Sequence, residues 1–192
     1  MGRLLLIRHG ESEGNRDRVF TRSPEVPLTD VGRAQVRHAA EWLAVRYRPT
    51  GIVSSPFVRA RQTAGVLAEH LRLLVTVEED LRERSYGALA GQPYAAVREC
   101  GGYDPERYWL WVPPGGGETL EDVAARAGAA LDRVALAALH EDVVVVSHGA
   151  VMMALWRHVT GVWRLGKVAR NAGIMIVDHE AGRYFAATLV AE

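Results

Sequence analysis

Apolar positions along this 192-residue chain alternate between short continuous runs and longer stretches with helical spacing. Residues 4–7 form an apolar run long enough for a buried strand and too short for a signal-peptide core. Residues 11–28 are polar and carry Pro24 and Pro27, which predicts a loop. Thr29 then stands as the N-cap of a helix reaching about Tyr47, with Val36, Ala40, Leu43 and Tyr47 at helical spacing. Ile52 and Val53 predict a second strand ending in Ser54-Ser55-Pro56. There, Ser55 as N-cap and Pro56 at the first helical position predict a helix to about Leu71. A short strand is expected over 74–77. Thr119 with Asp122 resembles a capping box opening a long helix to about His140. Residues 143–146 read as a central strand, apolar on both faces as in a parallel sheet. A helix over 149–160, stopped by Gly161, and two strands over 174–177 and 184–188, turning at Ala181-Gly182, complete the pattern. This succession predicts an α/β fold: a three-layer α/β/α sandwich with a mostly parallel central sheet and a C-terminal hairpin.

Residues 83–117 break the alternation. They hold Tyr86, Tyr94, Tyr103, Tyr108, Trp109 and Trp111 among glycines and prolines and end in Pro113-Pro114-Gly115-Gly116-Gly117. They are expected to form an inserted cap over the sheet, inside a single domain spanning 1–192. Acidic and basic side chains balance at a net charge of zero, which argues against a nucleic-acid or anionic-membrane binder. Cys100 is the lone cysteine, so an internal disulfide and a thiolate-based zinc site are excluded. No stretch is apolar for long enough to span a bilayer, and a cytoplasmic protein is the default expectation.

Two of the predicted strands end in histidine: Arg8-His9-Gly10-Glu11 after the first, Ser147-His148-Gly149 after the central one. Ligands of open α/β sheets collect at the carboxyl ends of strands, so these two ends can meet in one crevice. A lone histidine after a strand is commonly structural, but here Arg8 supplies a rigid fork of donors suited to phosphate oxygens. Asn15 follows in a loop that can fold back over the same crevice. Arg59 is expected in the first turn of a helix, where free N–H groups and the dipole already attract anions, so a bound anion would explain a cation there. Glu83, between Arg82 and Arg84, can serve as proton donor if its carboxyl pKa is raised. A bound phosphate would raise that pKa and the arginines would lower it, leaving the balance open. His38, His70, His140, His158 and His179 are expected on helices or a turn, as structural or surface residues. None has the close spacing with carboxylates that a metal site needs.

These residues resemble the histidine phosphatase superfamily, also called the phosphoglycerate mutase-like family. The match runs through Arg8-His9-Gly10-Glu11 with Asn15, the block from Ser54 to Ala64 that contains Arg59, Glu83-Arg84 with Gly87, and Ser147-His148-Gly149. Each motif is weak and the ordered set is strong. The resemblance implies two-step phosphoryl transfer with His9 as nucleophile, Glu83 as acid and base, and His148 as a further catalytic group. Arg8, Arg59, His148 and Asn15 would hold the phosphoryl oxygens, and no metal would be required. Neighbouring positive charge is expected to keep the His9 imidazole neutral. Phe20, Thr21, Arg84 and Tyr86 are expected beside the substrate, Arg84 as a candidate for a substrate carboxylate. Tyr94 and the segment 108–111 stand where mutases carry cations, and Gly14 stands where they usually carry an aromatic residue. The expected activity is therefore hydrolysis of small phosphate monoesters, without a cofactor. The alternatives are a phosphoglycerate mutase, for which 2,3-bisphosphoglycerate would be the primer, and a non-catalytic phospho-ligand-binding protein on the same fold. The expected partner is a small phosphorylated molecule, with no nucleic acid and no membrane. The C-terminal hairpin offers an edge strand through which a homodimer could form.

Overall fold

The structure, a computed structural model, describes residues 1–21, 23–163, 169–180 and 182–190. Its strands are β1 (Gly2–Arg8), β2 (Pro49–Ser54), β3 (Val75–Val77), β4 (Asp142–Ser147), β5 (Ile174–Glu180) and β6 (Arg183–Leu189). They form one sheet in the order β3-β2-β4-β1-β5-β6. β3, β2, β4 and β1 run parallel, while β5 is antiparallel to β1 and β6 to β5. The helices are α1 (Glu13–Arg16), α2 (Asp30–Arg46), α3 (Val58–Leu71), α4 (Leu120–Ala138) and α5 (Gly149–Thr160).

Alternation along the two central strands distributes their side chains between two cores. Leu4 and Leu6 of β1 and Val143 and Val145 of β4 pack with α4 and α5 on one face. Leu5, Ile7, Val144 and Val146 pack with α2 and α3 on the other. Every residue of β4 is buried, which is why its sequence is a run of valines with no polar alternation. The result is the expected α/β/α sandwich, with a mixed sheet that is parallel where the strand ends matter most.

The chain passes from β1 through α2 to β2, skipping one position in the sheet, and β4 later fills the gap. β1 and β4 pair in register from Arg3 with Asp142 to Arg8 with Ser147. His9 and His148 therefore leave neighbouring strands at the same level, and the His9 amide donates to the Ser147 carbonyl at 2.9 Å. β2 ends beside them: the Ser55 amide donates to the Val146 carbonyl at 3.0 Å.

Several local expectations change. Residues 11–28 include the one-turn helix α1, closed by a capping box between Ser12 and Asn15. α3 begins at Val58 with Phe57 as N-cap and no side-chain cap, instead of starting from Ser55 and Pro56. The Ser55 hydroxyl is engaged elsewhere, on His148. His179 lies within β5, neither on a helix nor in a turn, and is fully buried. The capping box at Thr119 and Asp122 opens α4 as expected, and Gly161 ends α5 in the left-handed conformation. Of the hairpin turn, Ala181 lies outside the described residues.

Between β3 and α4 the chain forms short 3-10 turns, at Gly87–Leu89, Tyr94–Glu99 and Pro105–Arg107. Backbone bonds tie them to the segment after α1: Phe20 donates to Gln92, Gly91 to Phe20 and Tyr94 to Arg18.

Gly32 in α2 packs directly on the segment after His9: a Cβ there would lie 2.0 Å from the Glu11 carbonyl oxygen. Gly65 in α3 faces open space. Gly32→Ala should therefore destabilise the protein by about 2 kcal/mol or more, since backbone must move. Gly65→Ala should stabilise it by roughly 0.5–1 kcal/mol. Urea midpoints of the two variants test this; equal shifts would contradict the packing at Gly32.

Candidate active site

The strand ends of β1, β4 and β2 open into a cavity of about 360 Å³. Arg8, His9, Asn15, Arg59 and Glu83 line it, as do the four expected substrate neighbours Phe20, Thr21, Arg84 and Tyr86. His148 is fully buried and stands behind this lining, edge-on to the His9 ring with centroids 5.1 Å apart. The structure thus brings all of the candidates together, but His148 reaches the site past His9 and is not itself part of the wall.

His9 is 2% exposed, and its Nδ1 lies 2.7 Å from the Gly10 carbonyl oxygen. A carbonyl can only accept, so Nδ1 carries the proton and Nε2 the lone pair. The Arg59 Nε donates to that lone pair at 3.2 Å, which marks where it points. Arg59 is equally buried, near the N-terminus of α3. Burial, more than the charges of Arg59 and Arg8, holds the His9 imidazole well below the usual histidine range. The expected lowering by neighbouring positive charge is present, second to burial.

His148 is positioned by Ser55, whose Oγ lies 2.6 Å from Nε2. Ser55 Oγ also accepts from the Phe57 amide at 3.4 Å, so its own proton is available to the imidazole. On that assignment the His148 proton sits on Nδ1. Burial, then Arg59, holds this histidine too well below its usual range.

Among the described residues, five buried side-chain polar atoms lack a hydrogen-bond partner, and three of them are Arg8 Nε, Arg59 Nη1 and His148 Nδ1. A buried donor left unpaired costs about 1–3 kcal/mol. Two of them, on Arg8 and Arg59, belong to side chains that line the cavity beside His9 and make an electropositive recess that an anion would satisfy. The rest of Arg8 is fixed by Nη1, which donates to the Ala169 carbonyl at 2.7 Å.

Glu83 faces this recess from the start of the cap. Burial raises its carboxyl above the usual carboxylate range, against the lowering by Arg59, the Arg84 amide, Arg8 and Arg126. The contest left open by the sequence is decided by burial. Arg126 of α4 holds the segment in place, with Nη1 donating to the Asp80 and Arg82 carbonyls and Nη2 to the Glu83 backbone carbonyl at 3.3 Å. Ser147 Oγ donates to the Leu81 carbonyl at 2.8 Å, tying the same segment to β4.

Arg84 stands where expected, and part of its guanidinium is engaged by the backbone. It lines the cavity, but its Nε donates to the Glu118 carbonyl and its Nη2 to the Trp111 carbonyl, both at 2.7 Å. Its guanidinium lies against the rings of Tyr86 and Trp111. It is a brace inside the cap before it is a ligand. Asn15 is also constrained: its Oδ1 accepts from the Asn171 side chain at 2.9 Å, and its amide nitrogen donates to Tyr94 at 3.1 Å.

Sequence reasoning passed over Ser55 as a histidine partner, Arg126 and Asn171, which also donates to the His9 carbonyl. Ser55 carries the local signal of a helix cap, which hides its second role; the other two sit in no local motif. Among the described residues, no group of three His, Cys, Asp or Glu side chains could hold a metal ion, and no helix is long and apolar enough to cross a membrane.

A family model for the histidine phosphatase superfamily (branch 1) matches residues 4–191, and the chain belongs to that family. It is 38% identical to a bifunctional protein of Mycobacterium tuberculosis over 81% of this chain, spanning only 43% of that relative's length. It is 32% identical to a metal-independent phosphoserine phosphatase of Arabidopsis thaliana, covering 91% of this chain and 75% of the relative. Phosphoglycerate mutases are similar at comparable identity. Among solved structures, a mycobacterial glucosyl-3-phosphoglycerate phosphatase complexed with VO3 superposes with a TM-score of 0.86 at 27% identity. That match covers 100% of this chain and 99% of the other.

A histidine whose folded pKa is depressed binds fewer protons than in the unfolded chain, so its contribution to stability is lost as pH falls below the usual 6.5. Glu83, shifted upward, opposes this above its usual 4.5. Comparing wild type with His148→Asn isolates one histidine. The stability difference, wild type minus variant, should fall by about 1.4 kcal/mol per pH unit below the usual histidine pKa. Urea unfolding at a series of pH values measures it, and a difference independent of pH would contradict the buried neutral imidazole.

Proposed function

We propose that this protein is a phosphatase acting on small phosphate monoesters through a phosphohistidine at His9. The observation that carries the reading is the unprotonated Nε2 of His9, aimed at Arg59 and bordered by unpaired donors of Arg8, Arg59 and His148. In the first step Nε2 attacks phosphorus in line, the N–P bond forms, and the P–O bond to the alcohol breaks. Glu83, whose carboxyl burial raises above the usual range, gives its proton to the departing oxygen. In the second step a water oxygen attacks phosphorus, the N–P bond breaks, and the Glu83 carboxylate takes the water proton. Arg8 and Arg59 stabilise charge on the equatorial oxygens, with the His148 Nδ1 proton and Asn15 assisting. The arginines supply the electrostatic role that a metal ion has in other phosphoryl-transfer sites.

A mutase reading differs in the fate of the phosphohistidine, which must return its phosphoryl group to a phosphoglycerate and exclude water. The commitment of Arg84 to cap carbonyls favours the phosphatase. Free phosphate release measured against interconversion of 2- and 3-phosphoglycerate, with and without 2,3-bisphosphoglycerate, separates the two. Fast interconversion with negligible phosphate release would replace the present reading.

Hydrolysis of 4-nitrophenyl phosphate should persist in excess chelator and fall to background in His9→Ala; loss in chelator, or survival in the variant, contradicts the mechanism. kcat/KM should decline as pH rises through the raised Glu83 pKa, because the donor must be protonated when the alcohol leaves. Glu83→Gln should abolish that alkaline limb. It should also slow alkyl phosphates by about 100-fold or more and 4-nitrophenyl phosphate much less. Equal losses on both ester types would remove Glu83 from the acid role.

A further inference from the structure

Beyond the phosphate recess the cavity is walled by two groups of rings. On one side Phe20 packs on Tyr86 and Tyr94, with centroids 4.3 and 5.0 Å away. On the other, Tyr103 meets Trp111 edge-on at 5.2 Å. Arg84 joins them, its guanidinium carbon 5.7 Å from the Tyr86 centroid and 5.6 Å from that of Trp111. Its hydrogen bonds to the Trp111 and Glu118 carbonyls anchor its guanidinium beside the Trp111 group. Leu120 and Met153 line the same space. Plain packing of a small subdomain would leave such rings closed on one another, whereas these border open volume continuous with His9.

We infer that the slot between the two ring groups receives the alcohol portion of the substrate, and that this portion is an uncharged aromatic or comparably flat apolar group. The inference rests on the phosphatase reading and names its substrate class. A ring entering the slot meets faces and edges of aromatic side chains, which attract it by dispersion and quadrupole contacts. A carboxylate entering it would lose water and meet, as its cation, an arginine whose Nε and Nη2 are already engaged. Phosphorylated hydroxy acids and amino acids are therefore poorer substrates than phosphorylated aryl-alkyl alcohols of the same leaving-group strength.

The test compares kcat/KM for 2-phenylethyl phosphate, butyl phosphate, glycerol 3-phosphate and 3-phosphoglycerate, all primary alkyl esters, so that leaving-group differences stay small. 2-Phenylethyl phosphate should exceed glycerol 3-phosphate by about tenfold or more, with butyl phosphate between them and 3-phosphoglycerate no better than glycerol 3-phosphate. Tyr103→Ser and Trp111→Leu should each reduce the 2-phenylethyl advantage severalfold, with inhibition by inorganic phosphate retained as the sign that the recess is intact. Tyr103→Phe should preserve the advantage. Preference for 3-phosphoglycerate over 2-phenylethyl phosphate overturns the inference while leaving the phosphatase reading in place. An advantage undiminished in both truncation variants does the same. No hydrolysis of any of the four esters overturns both together.

Discussion

Arg59 is 2% exposed, and its hydrogen-bond partner at Nε is the neutral nucleophile His9. A guanidinium so placed is costly to desolvate, and its Nη1 has no hydrogen-bond partner among the described residues. The surrounding architecture makes this arrangement sustainable. Three parallel strands, β2, β4 and β1, end at one level and deliver Ser55, His148 and His9 side by side. The apolar layers on both faces of the sheet pack against those strands, while Arg59 Nε rests on His9 Nε2. The recess is thus organised for a tetrahedral dianion before one arrives, and little reorganisation is needed when charge moves during phosphoryl transfer.

Burial of the site, more than the charge of Arg59, governs the protonation states. Desolvation keeps both histidines neutral and keeps Glu83 inclined to hold its proton, so all three shifts have one leading cause. A nucleophile must be unprotonated and an acid protonated, and one low-dielectric environment serves both because imidazolium and carboxylate are each its charged form. Local hydrogen bonds then refine the outcome: the Gly10 carbonyl selects the His9 tautomer, and Ser55 orients His148.

Much of this was legible in the chain. The apolar runs at β1 and β4 located the central strands, and their endings placed two histidines at the carboxyl edge of the sheet. The Thr119 capping box fixed the start of α4 because its signal is local and its partners are three residues apart. What escaped was whatever depends on contacts distant in sequence. Ser55 carries a valid local cap signal, yet its hydroxyl also meets His148 on the neighbouring strand end, and α3 starts at Val58. Arg126 and Asn171 belong to no motif and matter only because folding sets them beside Glu83 and Asn15. Arg84 read as a free cation, since nothing in its neighbourhood along the chain announces the carbonyls of Trp111 and Glu118.

Glu83 occupies an unusual place in this division of labour. In the proposed mechanism the nucleophile and the anion grip belong to the ends of the sheet, while the proton donor belongs to the segment that also bears rings of the cavity. Arg126 and Ser147 fasten that loop at its root, ahead of the point where it rises over the cavity. Grafting a foreign cap from Ser85 onward would thus exchange the recognition surface and leave the proton relay anchored. A graft begun a few positions earlier would carry off the acid with the old specificity, and turnover would then depend on how the incoming root was seated.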